Sequence, residues 1–579
     1  MESISIPRHR RTRPADPHKH HDPEHLSALT PARAARFRHR QALCLFGDES
    51  NESFTYGELK ASALRVSSYL LEQGIRPGDR IAILSESRPR WGLAFFAILA
   101  ARAVAMPLDP SQSADELRAI LANGKPRMLL TSTGCASLAA RLEREAGFLE
   151  QVYSIDPGGP GQDGSGTSFK SIDQLGAPGN YPRSLLLPNS PAVLSYTSGT
   201  MGNPKGVVTS LGNLISQVRG LQAIMHNGTE TSCVSILPLN HLFELTATFL
   251  TVLYGGGRIC YVNSLMPQDI TRAMQQQKPT CMVVVPLFLK LIRKRIQAEV
   301  AKQVAWKRVL FSALLKVSLL MPKRLRRRLF QSIHTRFGGS LEYFACGGAP
   351  LDPATLQFFD RLGIPVYQGY GMAEASPVIA SNAIGVNRPG SVGLALPGVE
   401  IRIAKTDGEI LTRGPHVMRG YFDNPTQTAE TIDADGWLHT GDIGYLDRDG
   451  YLYVNGRKKN IIVLGSGKNV HPEELEAVLF DHADIREGCI VGIQSARGIS
   501  DGSEDICAVV VPHPDLIEAC GIGDPNLQRR IERIIADQAN RLAAWKRPAR
   551  VVLLASELPK TATRKVKRRE VARQLVIGG

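Results

Sequence analysis

A chain of 579 residues is too long for one ordinary hydrophobic core, so two or more domains are expected. Apolar residues make up 43% and aromatics 6%, the balance of a globular protein, and nine scattered cysteines without a CxxC pair or zinc spacing exclude a secreted disulfide frame. The 69 Lys and Arg against 54 Asp and Glu give a net charge of +15, which suits nucleic acid, an anionic membrane or small polyanions, and the distribution of that charge must decide.

In chain order, residues 1 to about 30 hold Arg8, Arg10, Arg11, Arg13 and Lys19 among five histidines and several prolines. They offer too little apolar surface to fold alone and read as a disordered basic tail rather than a metal-binding His cluster. No apolar run opens the chain, so no signal peptide is expected. From Arg33 to Thr133, helical and strand patterns alternate. FTYGELKASALRVSSYLLEQGI starts a helix at Thr55–Tyr56, GDRIAILSES is a strand, RWGLAFFAILAARAV a buried helix, and AVAMPLDP a strand. DELRAILANGKPRMLLTS repeats helix then strand. The most apolar window, Trp91 to Pro107, is interrupted by Arg102 and is too short to span a bilayer. The alternation predicts parallel sheets covered by helices. Residues 155–168 are rich in Gly, Pro and Asp and read as a loop.

Tyr196 to Val207, YTSGTMGNPKGV, follows a strand-like run. Gly199, Gly202 and Gly206 leave backbone N–H groups open to an anion, Thr197, Ser198 and Thr200 add hydroxyls, and Lys205 adds a positive charge. That is polyphosphate chemistry, although the spacing is not the Walker pattern. LGNLISQVRGLQAIM is a helix. SILPLNHLFELTATFL places His241 in a turn between a strand and an apolar helix, where sites of α/β proteins form.

Residues 290–336 hold fourteen Lys or Arg and one acid, Glu299, with apolar residues between them. The plain reading is a solvated basic face; the sharper one is an amphipathic surface drawn to anionic lipid. No nucleic-acid motif accompanies the charge, so nucleic acid is not an expected partner. Two strand ends followed by Gly-rich turns come next, at Gly347–Pro350 and Gln368–Gly371. Short strands with turns lead to HTGDIG and NGRKKN. GSGK at 465–468 lacks the first glycine of a Walker loop. Beyond Gly456, EELEAVLFDH and LQRRIERIIADQANRLAAW read as helices and GCIVGI, EDICAVVVP and RVVLLA as strands. The chain closes on LPKTATRKVKRREV.

The YTSGTMGNPKGV string, the HTGDIG–NGRKKN block and the basic C-terminal loop resemble the adenylate-forming (AMP-binding) superfamily of acyl-CoA synthetases, luciferases and peptide-synthetase adenylation domains. The local strings LPLNHLFE, GRKKNIIVLGSGKNV and TATRKVKRR are most similar to long-chain fatty acyl-CoA synthetases. The resemblance implies an α/β fold: a large multi-subdomain N-terminal α/β domain with mostly parallel sheets and a β-barrel-like part (31–456), and a small mobile C-terminal α+β lid (457–579). It implies ATP, Mg²⁺ and coenzyme A. Thr197, Ser198, Gly199, Thr200, Gly202 and Lys205 would hold the β- and γ-phosphates. Gly348, Ala349 and Pro350, with Gln368, Gly369, Tyr370 and Gly371, would hold adenine and the α-phosphate. Glu374 would bind Mg²⁺, Asp442 both ribose hydroxyls, and Arg457 the nucleotide. Lys565 would be the catalytic lysine, working with Glu374, Lys205 and His241, and Lys459 the hinge. Two positions depart from the pattern: Ala373 stands where Thr is usual, and Arg564 where Gly is. The expected activity is conversion of a long-chain fatty acid to acyl-AMP and then to its CoA thioester. The alternatives are an acyl carrier protein as acceptor, or a membrane-associated binding protein on a decayed fold. The expected location is the cytoplasm, or the periphery of a membrane's inner face.

Overall fold

The computed structural model describes residues 36–577 apart from 48–51, 146, 148, 158–168, 175–186, 198–203, 467, 495–503 and 561–565. The basic tail and most of the loop at 155–168 therefore lie outside the described residues. Local signals in the first hundred residues produce the expected elements. Thr55 caps the helix Tyr56–Glu72, its side chain accepting from Glu58 N while the Glu58 carboxylate accepts from Thr55 N. Ser113 and Glu116 do the same for Ala114–Gly124. RWGLAFFAILA becomes Pro89–Ala100, ten of whose residues are buried. It is hydrophobic all round because other layers cover it on every side.

Two large sheets organise the N-terminal part. One has seven strands in the order Gly420–Tyr421, Lys205–Ser210, Pro191–Thr197, Val104–Leu108, Arg80–Leu84, Met128–Thr131, Gln151–Ser154. From Pro191–Thr197 onward its neighbours pair in parallel; the two strands at the other edge are antiparallel. The other has nine strands in the order Leu394–Ala395, Val378–Ser381, Val366–Gly371, Tyr343–Cys346, Cys281–Val284, Ser232–Ser235, Arg258–Val262, Gln41–Phe46, Ser53–Thr55. Its middle is parallel as well. Helices Tyr56–Glu72, Pro89–Ala100 and Leu211–Met225 fill the space between the sheets, where one core joins Leu43, Ile81, Trp91, Phe95, Val193 and Phe249. Further cores cover the outer face of each sheet. The stacked Trp91 and Phe95 rings, 5.6 Å apart, and the Phe96–Phe249 pair at 5.1 Å tie the central helices together. Each buried aromatic of this kind contributes about 2–3 kcal/mol.

The expected barrel-like part is a four-stranded antiparallel sheet, Glu400–Ile403, Glu409–Arg413, Leu438–Leu446 and Leu452–Arg457. The smaller C-terminal domain carries Ile485–Gln494, Glu504–Pro512 and Arg550–Leu553 in one sheet, with Pro472–Leu479 and Pro525–Ala539 on it. LQRRIERIIADQANRLAAW is shorter as a helix than its pattern predicts: it ends at Ala539, and Ala544–Lys546 is a separate 3-10 turn. One element differs in kind. Glu244–Leu250, expected as α-helix, is a π-helix. Its threonines are buried, and the Thr251 hydroxyl donates to the Thr246 carbonyl five residues back at 2.6 Å, a partner that the wider turn brings within reach.

Candidate active site

Parallel strands deliver their carboxyl ends to one edge of a sheet, and that edge is where α/β proteins bind ligands. Three such ends of the nine-stranded sheet carry predicted residues. Tyr343–Cys346 runs into Gly347–Pro350, where Gly348 has φ +84° and Gly348, Ala349 and Pro350 are exposed. Val366–Gly371 contains Gln368, Gly369, Tyr370 and Gly371, then turns into the 3-10 helix Ala373–Ala375. A Cβ on Gly371 would lie 1.8 Å from the Pro377 carbonyl oxygen, so only glycine lets the strand fold back there. Ser232–Ser235 leads to the turn with His241, whose carbonyl accepts from Leu245 N at 3.0 Å. Two residues on, Phe243 packs against Gly347. The His241 turn and the Gly347–Pro350 turn are therefore neighbours.

The phosphate-loop string is the connection of a hairpin. Thr197 pairs with Lys205 and Tyr196 with Gly206 across it. Ser198, Gly199, Thr200 and Gly202 lie outside the described residues. The short strand Gly420–Tyr421 pairs with the far side of Lys205–Ser210 and brings Tyr421 opposite Val207, close to Lys205. Lys205 Nζ sits 5.5 Å from the Tyr421 ring centre, and the Tyr421 hydroxyl donates to Glu374 Oε1 at 2.9 Å. Burial and the Glu374 charge raise the Tyr421 phenol, so it stays a donor at neutral pH. Lys205 and Glu374, remote in sequence, thus share one tyrosine.

A second network forms around Asp442, which is buried. Arg457 is its cross-strand partner, with Nε 2.9 Å from Oδ1, and the Tyr370 hydroxyl donates to Oδ2 at 2.7 Å. Burial and the Asp442 charge push the Tyr370 phenol up as well. Lys459, in the 3-10 turn Lys458–Asn460, joins the two networks. Its ammonium is held below the ordinary lysine range by desolvation and by Arg457, Arg569 and Lys205, while Asp442 works in the opposite direction. Four cations therefore converge on this edge beside a buried carboxylate, which is an environment for a polyanion.

Lys565 lies outside the described residues. Its flanks are anchored: Lys560 and Val566 form a bridge, and Arg568 pairs with Glu473 at 3.2 Å and with Glu476. The structure thus brings together Thr197, Lys205, Tyr370, Glu374, Asp442, Arg457 and Lys459 through contacts or shared strands. Sequence reasoning missed Tyr421 and Arg569. Tyr421 sits in a two-residue strand that shows no period, and Arg569 is one of several cations in a basic run, so neither carried a signal.

Next to this edge, an apolar cavity of about 40 Å³ lies between the π-helix region and the strands Cys281–Val284, Tyr343–Cys346 and Val366–Gly371. Phe243, Ala247, Val283, Tyr367, Gly369 and Val378 are among its walls, and none of its lining residues is charged. Among the described residues no group of three or more His, Cys, Asp and Glu is gathered as a metal nest.

The sequence profile of the AMP-binding enzyme family matches residues 31–422, and that of the AMP-binding enzyme C-terminal domain matches residues 474–565. The chain belongs to the AMP-binding enzyme family. It is 30% identical over 487 residues to the long-chain-fatty-acid–CoA ligase FadD15 of Mycobacterium tuberculosis, covering 80% of this chain and 77% of that one. It is 28% identical over 571 residues to the oxalate–CoA ligase of Arabidopsis thaliana, covering 96% and 99%. A solved o-succinylbenzoate coenzyme A synthetase from Bacillus subtilis, in complex with ATP and magnesium ion, superposes with a TM-score of 0.72 at 25% identity, covering 94% of this chain and 98% of that one. Its relatives are thus named for different acids, while the acid–CoA ligase chemistry is shared. ATP, Mg²⁺ and CoA are consistent with this AMP-binding enzyme. Its residues fit them: the cation cluster suits phosphates, and a lone buried Glu374 suits a hard ion whose other ligands are phosphate oxygens and water.

Proposed function

We propose that this enzyme activates an aliphatic long-chain monocarboxylic acid with ATP and transfers the acyl group to CoA. The observation that carries the choice of acid is the uncharged, apolar cavity beside Gly369. A dicarboxylate such as oxalate needs a cation for its second charge, because an unpaired buried carboxylate is costly. In the first step a carboxylate oxygen of the acid attacks the α-phosphorus of ATP; the bond from that phosphorus to the bridging oxygen breaks, and pyrophosphate leaves. In the second, the CoA thiol gives up its proton to solvent and attacks the acyl carbon; the carbon–oxygen bond to AMP breaks.

The residues divide the work by position. Lys205 and the loop from Thr197 hold the terminal phosphates; Asp442, oriented by Arg457 and Tyr370, accepts the ribose hydroxyls. Gly371 and its neighbours admit the α-phosphate closely. Glu374, held by Tyr421, would ligate Mg²⁺, which supplies charge neutralisation on the phosphates. Lys565 stabilises charge developing between the carboxylate and the α-phosphate. The segment from 457 acts as a lid turning about Lys459, and residues 31–456 form the body that it closes on. The cavity has room for about three water-sized groups, so a long chain enters only when its walls move apart.

Pyrophosphate release, measured with ATP, Mg²⁺ and acids from short to long, each with and without CoA, tests this reading. Release that peaks with long unbranched acids and turns over only with CoA is expected. A peak with short or dicarboxylic acids would refute the acid assignment, and turnover only with an acyl carrier protein would refute the acceptor. No release with any acid would leave the binding-protein alternative.

A further inference from the structure

The helices that follow Cys281–Val284 carry a surface that the adenylation chemistry does not use. Helix Pro286–Ala301 packs its inner side, through Phe288, Ile292 and Ile296, onto the core that includes Met282, Val284 and Phe344. The cavity lies on the opposite face of the same sheet, where Cys281, Val283 and Tyr343 point. The outer surface is therefore remote from the acyl pocket and is no part of a channel to it.

Beyond this helix come Ala305–Val317, Ser318–Leu320 and Lys323–Leu329, and neither of the two α-helices among them contains a buried residue. Phe311, Leu314 and Leu315 turn inward onto the same core, while a second set of large apolar side chains faces out: Trp306 is 63% exposed, Val309 69% and Leu320 89%, with Leu310, Val317 and Leu319 also exposed. Eleven of the twenty large apolar side chains that the described residues expose fall between Leu287 and Leu329. Scattered exposed apolar residues are ordinary; a contiguous set on consecutive helices marks a contact surface.

Charge identifies the contact. No Asp or Glu occurs from Val300 to Leu341, while eight Lys or Arg lie between Ala305 and Leu329. Lys307, Arg308, Lys316, Arg324 and Arg328 have no carboxylate within salt-bridge distance among the described residues, whereas Arg326 pairs with Asp360. Lys307 lies 5.6 Å from the Trp306 ring centre, its charge at the level of the indole. A folded acidic protein would satisfy the cations but leave Val309 and Leu320 against a polar surface. An anionic bilayer offers phosphates at the surface and an apolar layer beneath them, which matches cations and apolar side chains interleaved on short helices. The stretch is too short and too charged to cross a membrane, and no helix among the described residues is long and apolar enough to do so.

We infer that residues 305–329 form a docking surface for the anionic lipid of a membrane, with Trp306, Val309 and Leu320 entering the acyl boundary and Lys307, Arg308 and Lys316 binding phosphates. This attachment is independent of which acid the enzyme activates.

The test is co-sedimentation of the full chain with vesicles of phosphatidylcholine alone or mixed with phosphatidylglycerol, at about 0.05 M and about 0.5 M salt. Binding to the mixed vesicles at low salt is expected, with strong loss at high salt. Lys307→Gln, Arg308→Gln and Lys316→Gln together should lower partitioning roughly a hundredfold, since each basic residue near such a surface contributes about a fivefold factor. Trp306→Ser, Val309→Ser and Leu320→Ser should lower it with the charges intact, and unchanged melting temperatures check that both sets fold. In a Trp545→Phe background the emission of Trp306 should shift to the blue on vesicle binding, because Trp91 and Trp437 are buried. Absence of binding to anionic vesicles at low salt, binding indifferent to both sets of substitutions, or an acidic carrier protein that binds this surface in place of vesicles would each overturn the inference.

Discussion

Glu244 is a carboxylate enclosed in the protein, 1% exposed, at the start of the π-helix. The Ser235 hydroxyl donates to it at 2.6 Å and the Thr248 hydroxyl at 2.9 Å. Burial outweighs those donors and pushes its pKa up to about 7 from 4.5. Below the unfolded value both states are protonated and nothing is lost. Between about 4.5 and 7 the unfolded chain ionises while the folded chain keeps its proton, so stability falls as pH rises and levels off above 7. The distance from 4.5 to about 7 makes the full loss about 3 kcal/mol. Glu244→Gln is neutral at every pH and keeps the side chain's shape and two polar atoms. The variant should match the parent near pH 4 and exceed it by about 2–3 kcal/mol near pH 8.5, less what an imperfect hydrogen bond costs. Urea unfolding followed by circular dichroism across this range measures the difference. The transition of the N-terminal domain must be resolved from that of the smaller domain. A difference between variant and parent that does not change with pH would refute the reasoning.

Asp442→Asn keeps the shape but removes the charge that Arg457 and Tyr370 face; loss of charge-assisted bonds of about 1.5–3 kcal/mol should weaken ATP binding roughly ten- to hundredfold, and an unaltered ATP dissociation constant by calorimetry would refute the ribose role. Glu374→Gln should raise the Mg²⁺ concentration needed for half-maximal pyrophosphate release at least tenfold, as expected when a charged ligand is lost; an unchanged requirement would remove Glu374 from the ion. Lys565→Ala should suppress acyl-adenylate formation while leaving ATP binding within about threefold, and adenylation at the parent rate would sink its assignment.

The alternation of helix and strand was readable from Thr55 to Thr131 because capping boxes and turn residues punctuate it and each strand is buried on both faces. The candidate site was readable where it depends on short contiguous strings, as at Tyr196–Val207 and His439–Gly444. It was not readable where it depends on distance. Lys205 and Glu374 are 169 positions apart, and only a third residue from a two-residue edge strand, Tyr421, links them. The π-helix was hidden because its sequence has the apolar content of any buried helix, and its threonine partners become visible only when the turn is built. The basic stretch 290–336 was readable as an amphipathic surface, but not which of its apolar side chains stay uncovered: Phe311, Leu314 and Leu315 pack on the core while Trp306, Val309 and Leu320 do not, and sequence periodicity does not show whether another layer covers a face.

Ala373 is one of the two positions at which the resemblance and this chain disagree. It begins the 3-10 helix that carries Glu374, and Met372, the residue before it, supplies no side-chain cap. A hydroxyl here would stand beside the α-phosphate in the proposed complex. One neutral hydrogen bond contributes about 0.5–1.5 kcal/mol, so its absence slows the first step roughly two- to tenfold without abolishing it. Ala373→Thr should recover that factor in kcat/KM for pyrophosphate release. Ala373 is partly buried against the central core, so the added bulk has its own cost of about 1–3 kcal/mol if the neighbours cannot move. Ala373→Val has the same bulk without the hydroxyl and isolates that cost. A gain of Thr over Val, whatever their level relative to the parent, carries the argument. Equal rates for Thr and Val would mean that no phosphate oxygen comes within reach of residue 373, and the placement of the nucleotide along Gln368–Glu374 would have to be redrawn.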